Sequence, residues 1–152
     1  LKAALDARSD ETFVVMARTD ALASEGFEKT IERCHAYEEA GADMHFIEAV
    51  TSLEDYSKFK KVLQRPILAN MTEFGKTPLF TTNELATAGV DLVLYPLSAF
   101  RAMNLAAIKT YQEIKTRGTQ IHLLNQMQTR EELYGFLDYN FYEMQAQLLK
   151  KS

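Results

Sequence analysis

One cysteine in 152 residues, Cys34, excludes an internal disulfide and fits a reducing cytosol. The six glycines stand at 26, 41, 75, 89, 118 and 135, too scattered to build a GxGxxG or Walker loop around a nucleotide phosphate. Three histidines, at 35, 45 and 122, lack metal-ligand spacing, and no Ser, His and Asp set suggests a hydrolytic triad. Basic charge is also scarce. A formal net charge of −4 argues against nucleic-acid binding, which calls for a concentrated basic face. Long apolar runs are missing: FVVMA and DLVLYPL fall far short of the ~20 residues that span a bilayer, and no basic segment leads into a signal-like apolar stretch. These absences leave a soluble, cytoplasmic chain whose partner is a small molecule or another protein.

What is present is a rhythm. Short apolar runs at 13–17, 44–47, 66–69 and 91–95 are each too short for a helix and apolar at successive positions, which predicts strands buried on both faces. Between them, 26–40 carries Phe27, Ile31, Cys34 and Tyr37 on one helical face; 53–63 follows a Thr51/Ser52 cap; and 82–88 is again helical. The alternation predicts an α/β fold with parallel strands and right-handed crossovers. Two junctions, EEAGADMHFIEA and ATAGVDLVLYPL, share Ala-Gly, one residue, an aspartate and then a strand, as repeated βα units with glycine helix caps do. LKAALDAR reads as the tail of a helix begun upstream. A long helix, 98–117, closes at Gly118, and Thr129 with Glu132 fits a capping box that opens further helix to the end. The apolar residues of that tail, Leu133 to Met144, call for a covering partner such as a second subunit.

Four βα units make half of a (β/α)8 TIM-type barrel, whose whole needs ~250 residues. The organisation expected is therefore a half-barrel over 1–118 and a helical segment over 119–152. A complete small doubly wound sheet is the competing architecture.

Either architecture places chemistry at the C-terminal ends of the strands. Those exits carry Arg18, Thr19 and Asp20; Glu48; Asn70, Met71 and Thr72; and 96–101, ending at Arg101. Arg18 has a planar fork suited to a carboxylate or phosphate, or else pairs with Asp20 or another loop acid. Glu48 either positions a hydroxyl or a metal-bound water, or acts as a base, or is the partner of Arg18. Asn70 and Thr72 hydrogen-bond carboxylate oxygens or make ordinary turns and caps. Together with Arg101 and Arg130 these donors suit a small di- or tricarboxylate. Cys34, mid-helix on the apolar face, reads as a buried structural thiol, and His45, inside a strand, as a helix-facing core histidine.

In order along the chain, MARTDA, FIEAV, PILANMTEFGKTPLFTTNEL, LYPLSAFRAMN and MQTREELY resemble the C-terminal half of the isocitrate lyase and phosphoenolpyruvate mutase superfamily, in the branch that cleaves 2-methylisocitrate. ARTDA is shared across the superfamily; ANMTEFGKTPLFT, PLSAFRAMN and MQTREELY together are more specific. The resemblance covers essentially the whole chain. It implies a (β/α)8 barrel whose C-terminal helices exchange between subunits of a homotetramer, and Mg²⁺-dependent cleavage to pyruvate and succinate in propionate breakdown. It implies substrate contacts at Arg18, Glu48, Asn70, Met71, Thr72, Arg101 and Arg130. The reaction implied is a retro-aldol cleavage, with negative charge collecting on the succinate part as an enolate-like dianion. The metal-binding aspartates and the KKCGH-type loop with the acid cysteine belong, by the same resemblance, to the first half of the barrel. This chain is then expected to hold no catalytic or metal-ligating residue and to be inactive alone. Where the family often has FPEA, this chain has FIEA, so Ile47 is expected to alter the backbone before Glu48. Two other readings stay open: a superfamily lyase for isocitrate or another oxaloacetate-like acid, and a non-catalytic α/β binding or assembly module.

Overall fold

Four short strands, β1 (Met16–Thr19), β2 (Met44–Ile47), β3 (Ile67–Asn70) and β4 (Leu92–Leu94), pair in parallel in the order β1-β2-β3-β4. Around them lie α1 (Lys2–Asp6), α2 (Ala21–Glu25), α3 (Phe27–Glu39), α4 (Leu53–Val62) and α5 (Thr82–Thr87), so the predicted alternation is the observed one. The computed structural model describes residues 1–150 and separates into two units, the first being Leu1–Arg101 and the second running from Ala102 onward.

Register and pleat sort the strand residues between two faces. Arg18 pairs with Phe46, Phe46 with Leu68, Leu68 with Leu92 and Asn70 with Leu94, which puts all of them on one face. The intervening Ile47, Ile67 and Ala69 point the other way and join Met71, Cys34, Tyr56, Phe59, Leu63 and Leu85 in the core under the helices. The rings of Phe27 and Phe59 pack at 4.4 Å. Each such fully buried large apolar side chain contributes ~1.5–3 kcal/mol.

Two corrections to the strand pattern follow. Burial on both faces holds for the central strands β2 and β3, where Met44 and Leu68 are buried on the face away from the helical core, but not for the outer strands β1 and β4, where Arg18, Leu92 and Leu94 stay exposed. Leu92 and Leu94, on the other side of edge strand β4, remain 44% and 37% exposed. The same order without a switch point favours a barrel segment over the doubly wound alternative. Secondly, β1 begins at Met16 and not Phe13. Asp10 Oδ1 accepts from the Thr12 N–H (2.8 Å) and hydroxyl (2.7 Å), a local turn that leaves Phe13 and Val14 on the surface.

The two Ala-Gly-x-Asp junctions are one device used twice. Gly41 and Gly89 take φ +100° and +89°, and the next residues, Ala42 and Val90, return their N–H groups to Tyr37 O (2.9 Å) and Leu85 O (3.0 Å). This is a helix end that only glycine enters without strain. The aspartate then reaches back across the sheet. Asp43 Oδ2 accepts the Val15 N–H and Arg8 Nη1, both at 2.8 Å; Asp91 Oδ2 accepts the Ile67 N–H (2.9 Å) and Lys60 Nζ (2.8 Å). Glu38 closes the remaining junction: its Oε1 accepts the N–H groups of Gln64 (2.9 Å) and Arg65 (3.0 Å) and lies 3.0 Å from His45 Nε2. His45 is the helix-facing core histidine expected, and Cys34 is fully buried, its thiol pushed up to about 12 by burial.

Other helix starts follow their sequence signals. Ser52 caps α4 by accepting the Asp55 N–H at 3.1 Å, and Thr81 with Glu84 makes a capping box on α5. The long helix α6 (Ser98–Arg117) begins in the first unit and continues into the second, ending before Gly118 as expected. The second unit adds a 3₁₀ segment (Ile121–Gln126), α7 (Arg130–Phe136) and α8 (Tyr139–Leu149). Thr129 and Glu132 form the expected capping box on α7. The tail is not one helix, because Asp138 adopts φ +51°, a left-handed break between α7 and α8. Phe136, Tyr142, Met144 and Leu148 are exposed there.

Candidate active site

Arg18, next to last in β1, stands on the face that the helices leave open. Its Nη2 is 2.8 Å from Asp20 Oδ1 and its Nε 3.2 Å from Asp20 Oδ2, a side-on pair, while Nη2 also lies 3.4 Å from Glu48 Oε2. The guanidinium rests 4.8 Å above the Phe46 ring, its register partner in β2. Hydrogen bonding to Asp20 raises the Arg18 pKa, and the same bond holds the Asp20 carboxyl below its usual range. Both ion-pair readings of Arg18 are therefore present in the structure. With half of its side chain exposed, the pair is a weak structural contribution and an easily exchanged one.

Glu48 follows β2 directly, and its N–H extends the ladder to Thr19 O at 3.0 Å. Ile47 continues the strand in register with Thr19. Ala49, next in line, takes φ +59°, an uncommon conformation for a residue with a Cβ and one concentrated at functional sites. Asn70, the last residue of β3, directs Nδ2 toward Glu48 Oε2 at 3.5 Å. Its Oδ1 is buried and accepts no hydrogen bond from the protein. An unanswered buried acceptor beside charged groups is costly until a ligand or water donates to it. On the other side of Arg18 and Glu48 a cleft of about 310 Å³, which Asn70 does not line, is walled by Arg18, Asp20, Ala23, Glu48, Ala49, Gly75 and Lys76. A hollow of about 390 Å³ between α4 and α5 has no cationic lining; Glu54 and Glu84 there would repel a carboxylate.

Arg101 belongs to the first turn of α6. Its Nε is 3.5 Å from Glu73 Oε2, and its guanidinium lies 5.3 Å above the Phe74 ring. Ser98 Oγ donates to Glu73 Oε1. The Ser98 hydroxyl, then the residue's own backbone N–H and Arg101, hold the Glu73 carboxyl below its usual range. Of the other predicted residues, Thr72 sits in the loop after β3 with its methyl beneath Gly75. Met71 turns its side chain into the helix-facing core, and its N–H is engaged by Leu94 O at 2.8 Å. Arg130 is the first residue of α7, in the second unit.

Phe46, Glu73, Phe74 and Lys76 escaped sequence reasoning. Phe46 was readable from register, since a parallel neighbour of Arg18 on the same face must lie beside it. Glu73 and Phe74 stood directly after Asn70-Met71-Thr72, but nothing in the sequence reports that this loop reaches Arg101. Among the described residues no group of three His, Cys, Asp or Glu side chains is placed to hold a metal ion, and Asp20 and Glu48 both face Arg18. The side chains of the described residues do not by themselves form a Mg²⁺ site.

Helices packed on a sequentially ordered parallel sheet, with Arg18, Glu48 and Asn70 together at the C-terminal ends of its strands, define a (β/α)8-barrel segment. The chain belongs to the phosphoenolpyruvate phosphomutase family, whose sequence profile matches residues 1–115. It is similar to 2-methylisocitrate lyase of Salmonella typhimurium, 55% identical over 152 residues, which is 100% of this chain and 52% of that protein. Among solved structures it is similar to 2,3-dimethylmalate lyase, a member of the phosphoenolpyruvate mutase and isocitrate lyase superfamily, with TM-score 0.80 and 30% identity over 97% of this chain and 52% of that one. Phosphonopyruvate hydrolase, solved in complex with oxalate and Mg²⁺, matches with TM-score 0.78 and 27% identity over 97% of this chain and 53% of that one. The chain thus spans about half the length of the relatives it matches.

Proposed function

We propose that this chain is the carboxylate-binding half of a carbon–carbon lyase that cleaves 2-methylisocitrate to pyruvate and succinate. The observation that carries the reading is the gathering of Arg18, Glu48 and Asn70 at the ends of three adjacent strands, on the face away from the helical core, around an unanswered Asn70 carbonyl. The similarity to a 2-methylisocitrate lyase over the whole chain supports the substrate.

Each group has a defined task. Arg18 exchanges Asp20 for a substrate carboxylate and stabilises the charge that gathers as the carbon–carbon bond breaks. Arg101 takes further carboxylate oxygens, and Arg130 is assigned a substrate contact by the family resemblance alone. Glu48, fixed between Arg18 and Asn70, leaves the Asn70 Oδ1 to receive a donor such as the substrate hydroxyl, and Thr72 orients a carboxylate. Met71 contributes through its main chain. The Mg²⁺ required, by analogy with the family, is held by residues outside this chain, as are the acid and base. The exposed apolar surface of α7 and α8 supports helix exchange within a homotetramer of a cytoplasmic enzyme.

The test is a cleavage assay on the natural full-length protein, with 2-methylisocitrate, isocitrate and 2,3-dimethylmalate compared by kcat/KM. Arg18→Ala is expected to lower kcat/KM for 2-methylisocitrate by ~10²-fold or more. Equal turnover by the variant, or no turnover of any of the three acids, overturns the reading.

A further inference from the structure

Glu73 and Phe74 adjoin the proposed site and grip one of its arginines from two sides. Glu73 Oε1 is fixed by the Ser98 hydroxyl, on the first residue of α6, while Oε2 sits 3.5 Å from Arg101 Nε, one turn further along the same helix. At that distance the contact is an ion pair, and Oε2 accepts no hydrogen bond although it is buried. Phe74 supplies the second side. Its ring lies 5.3 Å from the guanidinium, yet the residue is 93% exposed and held at φ +64°. A bulky side chain gains nothing from such exposure and is strained in such a conformation. What the conformation achieves is to place the ring against Arg101.

We infer that Glu73 is a positioning residue for Arg101, with Phe74 as its platform, and that the pair presents the terminal nitrogens of Arg101 edge-on to a ligand carboxylate. With Nε turned to Glu73 and one ring face on Phe74, the Nη1–Nη2 edge is the part left for a two-pronged grip. Lysine at 101 lacks that edge, so the arrangement is specific to arginine. The inference rests on the proposed function for the identity of the ligand, though not for the clasp itself.

Charge and position make opposite predictions here. If Glu73 were only a nearby anion, its neutralisation would tighten binding of an anionic ligand. If Glu73 aims Arg101, neutralisation loosens it. Glu73→Gln keeps the shape and an acceptor for Ser98 while removing the charge that orders Arg101. In the natural full-length protein, calorimetry with succinate as probe is expected to show binding weakened about tenfold in Glu73→Gln. Arg101→Lys is expected to lose at least as much. Ser98→Ala, which frees one carboxylate oxygen, should give a smaller loss of the same sign. In parallel, the Arg101 Nε–H proton resonance in the ligand-free protein is expected to move in Glu73→Gln. Succinate affinity unchanged or tighter in Glu73→Gln overturns the positioning role, and an Arg101 resonance that does not move overturns the clasp. No succinate binding by the unaltered protein overturns the functional reading instead, and the resonance then decides the clasp without a ligand.

Discussion

Glu38 shows at the scale of one residue how a charge can be structural far from any ligand. Burial works against its ionisation, but His45, the N–H groups of Arg65 and Gln64, and His35 together bring its carboxyl down to about 2 from an ordinary 4.5. A depressed carboxylate stabilises the fold fully above the unfolded value and loses that contribution as pH falls through the folded one. Stability is therefore expected to decline between about pH 4.5 and 2 by on the order of 3 kcal/mol, and Glu38→Gln should flatten that part of the curve. Chemical denaturation at stepped pH reads it directly; equal slopes in both proteins would remove Glu38 as the cause. Residues also mark how far the sequence could be read. Arg18, Glu48 and Asn70 were legible because a parallel sheet puts its chemistry at strand ends. Their arrangement was not, since whether an arginine faces Asp20, a ligand or both depends on loop geometry that no periodicity encodes. The burial of Met71 follows the alternation of Ile67 and Ala69 carried one residue past β3, so it was legible only once the end and pleat of that strand were known.

Among the elements, the helix-to-strand junctions carry the firmest expectations. Gly89 meets two constraints at once: φ +89°, and a Cβ placed there would come within 2.6 Å of Lys60 Cγ. Lys60 cannot simply swing aside, since its Nζ is held by Asp91, two residues beyond the glycine. Gly89→Ala is expected to destabilise by roughly 1–3 kcal/mol, more than Gly41→Ala, whose added Cβ would meet only Leu5 Cδ1 at 3.4 Å. Thermal melts of the two variants check the order, and a smaller loss at position 89 would contradict it. Both junctions were recognisable in the sequence as a recurring Ala-Gly-x-Asp. The aspartate's reach to the N–H at the start of the preceding strand was not, because that bond spans 24 residues in one case and 28 in the other. The break between α7 and α8 was missed for a related reason: Asp138 is a residue that tolerates left-handed backbone but does not demand it.

For the molecule as a whole, the alternation of strands and helices was enough to find a parallel α/β fold but left a doubly wound sheet open beside the half-barrel, and the strand order β1-β2-β3-β4 decides between them. It could not reveal which strands are covered on one face only, since a short apolar run reads the same whether one face is packed or both. The 152 residues expressed alone are expected to show no measurable cleavage of 2-methylisocitrate, with Mg²⁺ present throughout; turnover comparable to that of the full-length protein would contradict the division of labour proposed here. The pleat adds a consequence for descent. Arg18 is flanked by Ala17 and Thr19, and Asn70 by Ala69 and Met71, so each position of the proposed site alternates with one that holds the fold. A lineage can thus drift from one organic acid to another by replacing every second side chain, while selection for stability acts undisturbed on the positions between.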